Sequence, residues 1–174
     1  MKPIYEPRGK AKEYCDLAIN IYTGCNNGCG YCYATRVLQK TKEQFVEVEP
    51  RKGIVDALKK QLASEGIKCR EIQLCFTCDP YPADIDTTDT RERIEVIKNS
   101  GNHVRIWTKG GKRALRDFDL LDSGDCFGIT LSGHAINMKE NEPNAAPYSE
   151  RMFTLAVAAN RDIKTWVSFE PVFD

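Results

Sequence analysis

The chain has no net charge, no long apolar run and almost no histidine. Lys and Arg total 25, and Asp and Glu total 25. That balance argues against a general polyanion binder, although a local basic patch survives it. No uninterrupted apolar stretch approaches the roughly 20 residues that span a bilayer, so no membrane contact is expected. Residues 1–7 lack the apolar core of a secretion signal, so a cytoplasmic location is expected. There is no internal repeat and no low-complexity tract. A content of 41% hydrophobic and 29% charged residues is wrong for a disordered chain. The two histidines, His103 and His134, stand alone and read as structural or surface residues.

What is plentiful is cysteine. Eight occur in 174 residues: Cys15, Cys25, Cys29, Cys32, Cys69, Cys75, Cys78 and Cys126. In a reducing compartment a disulfide framework is not expected. Cys25, Cys29 and Cys32 fall within eight residues, which points first to a metal or redox site.

Length fits one domain with a substantial core. Apolar runs at residues 17–22, 71–77, 103–108, 126–131 and 164–169 predict five strands. Between them, helices are predicted at 33–42, 53–65 (stripe Ile54, Leu58, Leu62; stop Gly66), and 90–100 (N-cap Asp89, stop Gly101). A last one opens at Ser149, with Met152, Leu155, Ala156 and Ala159 at helical spacing. Strands apolar on both faces and alternating with helices imply an α/β fold with a parallel sheet. An open doubly wound sheet and a barrel both fit five strands. In either, chemistry belongs at the C-terminal strand ends. There lie Cys25 to Cys32, Thr77 to Tyr81, Lys109 to Lys112, Ser132 to His134, and Glu170.

Thiols at C-x3-C-x2-C can converge on one iron–sulfur cubane if the loop curls, and Gly24, Gly28 and Gly30 are expected to permit this by accepting positive φ. Three ligands for four irons leave one iron open. The alternative from the same residues is zinc, with Cys29 and Cys32 as one pair and Cys15 or a histidine completing the set. Buried unreactive cysteines are not expected on a glycine-rich loop. Trp107 and Trp166 sit within strands and read as packing residues.

C-x3-C-x-aromatic-C after a first strand, with Tyr31 as the aromatic, resembles the signature of the radical S-adenosylmethionine (SAM) superfamily. More of the chain resembles one branch, the proteins similar to spore photoproduct lyase, or DNA repair photolyase-like proteins. The matching pieces are Tyr22-Thr-Gly-Cys25 with Cys32-Tyr-Ala, Thr77-Cys-Asp79-Pro80-Tyr81, Thr108-Lys109, Arg116-Asp117-x-Asp119-x-Leu121, Glu142-Pro143, and Glu150-Arg151. They run in the expected order over nearly the whole chain.

The resemblance implies a partial (β/α)6 TIM-like barrel forming a radical SAM core domain over residues 1–174. It also implies a [4Fe–4S] cluster on Cys25, Cys29 and Cys32, its open iron chelated by SAM. Reductive cleavage of SAM then yields a 5′-deoxyadenosyl radical, in a lyase-like or transferase reaction; the cofactors carry this chemistry and the protein orients them. Cofactor-binding positions follow by resemblance. Tyr31 places its backbone near the adenine, Thr77 and Asp79 meet the methionine amino group, Lys109 meets the carboxylate, and Ser132 contacts SAM. Glu170 is added because a buried strand hardly carries a carboxylate idly. The bland readings are a solvated Lys109, an Asp-Pro turn at Asp79 and a helix cap at Ser132.

Cys75 is the candidate catalytic hydrogen donor. It shares strand parity with Thr77, whereas Cys78 has the other parity unless the turn rotates it; a buried inert thiol is the competing reading. Implied partners are an electron donor such as flavodoxin or ferredoxin and a substrate of unknown class, nucleic acid included. Neutral charge weighs against tight duplex binding. Residues 170–174 leave a strand with no helix after it. The barrel is therefore expected to be truncated after the fifth strand, as a fragment or as a chain completed by a second one. The alternative function is a non-enzymatic zinc or iron–sulfur binding module.

Overall fold

A computed structural model of the chain describes residues 2–132 and 138–172. Its centre is one six-stranded sheet in strict sequence order: β1 (Ile4–Tyr5), β2 (Leu17–Ile19), β3 (Glu71–Leu74), β4 (His103–Thr108), β5 (Cys126–Leu131) and β6 (Lys164–Phe169). β2 to β6 pair in parallel, and β1 pairs antiparallel with β2. A doubly wound sheet reverses strand order at a switch point. This one never does, so the barrel-type alternative is the one adopted. The five parallel strands are those predicted.

The sixth strand, β1, has only two residues and no apolar run to announce it. It is held by a distant side chain. The Ile4 N–H donates to Gln61 Oε1 at 2.9 Å, and Gln61 Nε2 donates to the Ile4 carbonyl at 2.9 Å.

Helices connect the strands: α1 (Ala34–Leu38), α2 (Lys42–Phe45), α3 (Ile54–Ser64), α4 (Thr88–Asn99), α5 (Met138–Asn141) and α6 (Tyr148–Ala159). Period-two alternation sorts each strand into two faces. Ile19, Ile72, Leu74, Val104, Ile106, Phe127 and Ile129 join Leu58, Leu62, Ile94 and Ile97 of α3 and α4 in one buried cluster. The alternate residues form the other face, where register aligns Trp107, Gly128 and Trp166 across β4, β5 and β6. The two indoles stand 5.0 Å apart, with Tyr14 at 5.0 and 5.6 Å from them. A Cβ on Gly128 would lie 1.9 Å from Trp166 Nε1, so glycine there makes the stack.

Several helix expectations need correction. Residues 33–42 divide into α1 and α2. α4 starts before Asp89, which instead forms an i,i+4 ion pair with Arg93. α6 starts at Tyr148 after Pro147, without a Ser149 cap. Its buried residues are Arg151, Thr154 and Ala158, while Met152 is 46% exposed. The apolar stripe misled because a buried arginine turns the helix. No described helix is long and apolar enough to cross a membrane.

Candidate active site

The C-terminal ends of the parallel strands open onto a cavity of about 750 Å³, within the range of small-molecule sites. Cys25, Cys29 and Cys32 line it, with Tyr31, Cys75, Thr77, Asp79, Lys109 and Glu170. Nine of the ten singled-out residues therefore share one chamber. The tenth, Ser132, is buried beside it and is tied to Tyr31 and Lys109 through Glu142. His134 lies outside the described residues.

The cysteine loop is pinned from several sides. The Cys25 N–H donates to the Phe45 carbonyl at 2.8 Å, and the Gly30 N–H donates to that of Asn141 at 2.9 Å. Asn26 exchanges two hydrogen bonds with the Ala83 backbone. The glycines serve different ends, which corrects the expectation that all three take positive φ. Gly28 has φ 71. Gly24 is required for space, since its Cβ would lie 2.2 Å from the Phe45 carbonyl oxygen. Gly30 has neither a positive φ nor a neighbour within 4 Å of an added Cβ. Burial pushes the Cys25 thiol well up and the Cys29 thiol to about 11.

Asp79 organises the chamber. Its Oδ1 accepts from the Tyr81 N–H at 2.8 Å and from the Thr108 hydroxyl at 2.5 Å. Its Oδ2 accepts from Asn27 Nδ2 and the Lys109 N–H, both at 2.9 Å. One carboxylate thus ties β3's end, β4's end and the cysteine loop together, with both oxygens already engaged. The turn reading of Asp79 fits this geometry better than a ligand contact. Two buried polar atoms beside it have no hydrogen-bond partner among the described residues: Asn27 Oδ1 and Thr77 Oγ1. They are two of ten such atoms among the described residues, and both residues line the cavity.

A second hub escaped the sequence reading as a site residue. Glu142 is fully buried. Its Oε1 accepts from Lys109 Nζ at 2.8 Å, from Ser132 Oγ at 2.7 Å, and from the Tyr31 hydroxyl. Its Oε2 accepts from Arg151 Nη2. Burial works to raise the carboxyl, but the charges of Lys109 and Arg151 and the hydrogen bonds from Lys109 and Tyr31 override it. They hold Glu142 down at about 2. Lys109 and Arg151 outnumber Glu142 by one charge, which the Asp79 carboxylate on the Lys109 N–H balances. Glu142-Pro143 and Glu150-Arg151 matched by resemblance alone; no spacing rule connects residues nine apart across a turn.

Lys109 is not a solvated loop lysine. Its side chain is 14% exposed, and its ammonium also meets the Tyr31 hydroxyl at 2.9 Å. Glu170 is a correction: it follows β6 as an exposed residue rather than a buried one, and accepts from Tyr14 OH at 2.6 Å. Trp107 lines the cavity as well as packing. The strand-parity expectation for Cys75 also needs revision. β3 stops at Leu74 because Cys75 takes φ 64, so residues 75–79 all line the chamber in succession. Parity does not separate Cys75 from Cys78.

At the opposite end of β4, His103, Asp122 and Asp125 converge within 4.8 Å. Lys98 already fills that position, its ammonium on both carboxylates, which leaves His103 its structural role. This is the one such set of three metal-ligating groups among the described residues. The three thiols stand on one curled loop facing a cavity with room beyond them, a donor set that fits a [4Fe–4S] cluster with one iron left open.

No protein-family model and no curated protein matches the chain. Solved structures do. A cysteine-to-serine variant of spore photoproduct lyase superposes with a TM-score of 0.74 at 18% identity, over 96% of this chain and 49% of that one. The chain shares its fold with spore photoproduct lyase. A double variant of spore photoproduct lyase with bound AdoMet and dinucleoside spore photoproduct gives 0.74 at 18%, over 95% and 48%. A tyrosine-to-phenylalanine variant gives 0.75 at 17%, over 96% and 48%. The chain spans about half the length of the spore photoproduct lyase structures it matches, and the match is to a partial TIM-like barrel.

Proposed function

We propose that the chain is the core domain of a radical SAM enzyme. The observation that carries this reading is the arrangement of three loop thiols, two orphaned polar atoms and the Lys109 ammonium around one cavity. Cys25, Cys29 and Cys32 would hold the [4Fe–4S] cluster. Thr77 Oγ1, joined by Asn27 Oδ1, would accept from the amino group of SAM. The third N–H of Lys109 would donate to its carboxylate in a charge-assisted hydrogen bond. Tyr31 and Ser132 are held in place by Glu142, and Glu170 with Tyr14 borders the cavity mouth. When bound, the cluster and SAM supply an organic radical that takes a hydrogen atom from a substrate.

Cys75, 4% exposed on the cavity wall, would return a hydrogen atom in that reading. An electron donor of the flavodoxin or ferredoxin class is required. One of the similar solved structures is spore photoproduct lyase complexed with dinucleoside spore photoproduct, and the Trp107–Trp166–Tyr14 face beside the cavity suits a planar base, so a nucleic-acid-derived substrate is the class we favour.

The test is anaerobic reconstitution with iron and sulfide. Single Cys→Ala changes at Cys25, Cys29 or Cys32 are expected to remove most bound iron. The same change at Cys15, Cys69 or Cys126 is expected to leave it. Equal loss from both groups would overturn the ligand assignment, and a colourless protein that takes up zinc would favour the metal-module reading.

A further inference from the structure

Five cysteines line one cavity, and the cluster loop accounts for three. The other two, Cys75 and Cys78, belong to a segment whose backbone folds back on itself. Cys75 takes the left-handed region that a non-glycine residue seldom adopts. The chain then bends at residues 76, 77 and 78. Asn20 Oδ1 locks the bend by accepting from the N–H groups of Phe76 at 2.9 Å and Thr77 at 3.0 Å.

This return brings Cys78 back to the wall of the cavity that Cys75 lines. The Cys75 thiol is pushed well up, first by burial and then by the neighbouring Cys78. Cys75 is buried in the core, while Cys78 is half-buried and packed against the same cluster. The spacing, C-x2-C, is one that a turn can close, and disulfide formation needs two side chains converging from a short loop.

We propose that Cys75 and Cys78 are a redox-active dithiol that closes reversibly to an intramolecular disulfide. This goes beyond the cluster reading and does not depend on it. The more accessible Cys78 is the attacking thiol and Cys75 the resolving one. With a small organic disulfide RSSR as oxidant, the Cys78 thiolate attacks one sulfur and releases RS⁻, which takes up the Cys78 proton. Cys75 Sγ, losing its proton, then attacks Cys78 Sγ and releases the second RSH. Two protein thiols are oxidised, one RSSR is reduced to two RSH, and the S–H bond of Cys75 is gone until a dithiol reductant restores it.

The sequence offers a clean assay. Trypsin cuts after Arg70 and Arg91, and residues 71–91 contain Cys75 and Cys78 and no other cysteine. The reduced full-length chain is treated anaerobically with hydroxyethyl disulfide, unfolded in iodoacetamide, digested and weighed. The expected product is peptide 71–91 without alkyl groups and two hydrogens lighter, with both alkylations recovered when dithiothreitol precedes the iodoacetamide. In Cys78→Ser, Cys75 is expected to remain alkylatable after the same treatment. Two alkyl groups on the treated wild-type peptide would overturn the proposal. So would Cys75 linked to Cys25, Cys29 or Cys32 instead of Cys78. The wild-type measurement stands without the variant.

Discussion

At the scale of single residues, the site is a matter of carboxylates that organise rather than react. Asp79 and Glu142 each collect four donors, and between them they fix most of the residues proposed to meet SAM. Lys109 depends on both, through its backbone on Asp79 and its ammonium on Glu142. Lys109→Ala in the cluster-loaded protein is expected to weaken SAM binding by about 1.5–3 kcal/mol, the range for a charge-assisted hydrogen bond, with iron content unchanged. Anaerobic titration measures it, and unchanged affinity would return Lys109 to a purely structural pairing. The three cysteines were legible because their spacing is local. Glu142 and Asn27 were not, because they act through partners from distant parts of the chain: Glu142 meets Tyr31 and Lys109, 111 and 33 residues away, and Asn27 meets Asp79, 52 residues away. Chemistry of that kind becomes visible only when the ends of separate strands are brought together.

At the scale of elements, the parallel strands and main helices followed from apolar runs and glycine stops, since Gly66 and Gly101 do take positive φ after α3 and α4. What failed was the orientation of α6 and the existence of β1. In both, one polar side chain overrides the pattern: Arg151 reaches inward to Glu142, and Gln61 recruits Ile4. The cysteine loop makes a sharper case. Gly24→Ala drives a Cβ into two backbone carbonyls, with the Glu47 oxygen at 2.5 Å besides that of Phe45. Gly30→Ala meets open space. The first change is therefore expected to abolish iron retention on reconstitution. The second is expected to keep it and to shift stability by no more than about 0.5 kcal/mol. Similar iron loss in both would mean that the loop refolds on loading and that its geometry here does not govern binding.

For the whole molecule, the buried Lys109–Glu142–Arg151 cluster couples stability to pH. Glu142 is held at about 2 in the folded chain against an ordinary 4.5. The unfolded chain binds that proton first as acid is added, so the stabilisation is full above about 4.5, declines as pH falls, and is gone once pH drops through about 2. Glu142→Gln should be less stable than wild type at neutral pH. Its stability should also change less between pH 4.5 and 2, as measured by urea unfolding across that window. Parallel curves for the two proteins would remove Glu142 as the source.

The stack of Trp107 on Trp166 has a further consequence, an optical one. These are the two tryptophans of the chain, and both stand in the strand-end chamber or next to it. All indole emission therefore originates within one aromatic group, and two rings 5.0 Å apart at 51° couple their strong far-ultraviolet transitions into a paired dichroism band. A broadly absorbing iron–sulfur cluster on the neighbouring loop would drain that emission by energy transfer, while urea would split the dichroism pair and free it. The chain carries, without any label, a spectroscopic gauge in which loading of the site and loss of the fold move the signal in opposite directions.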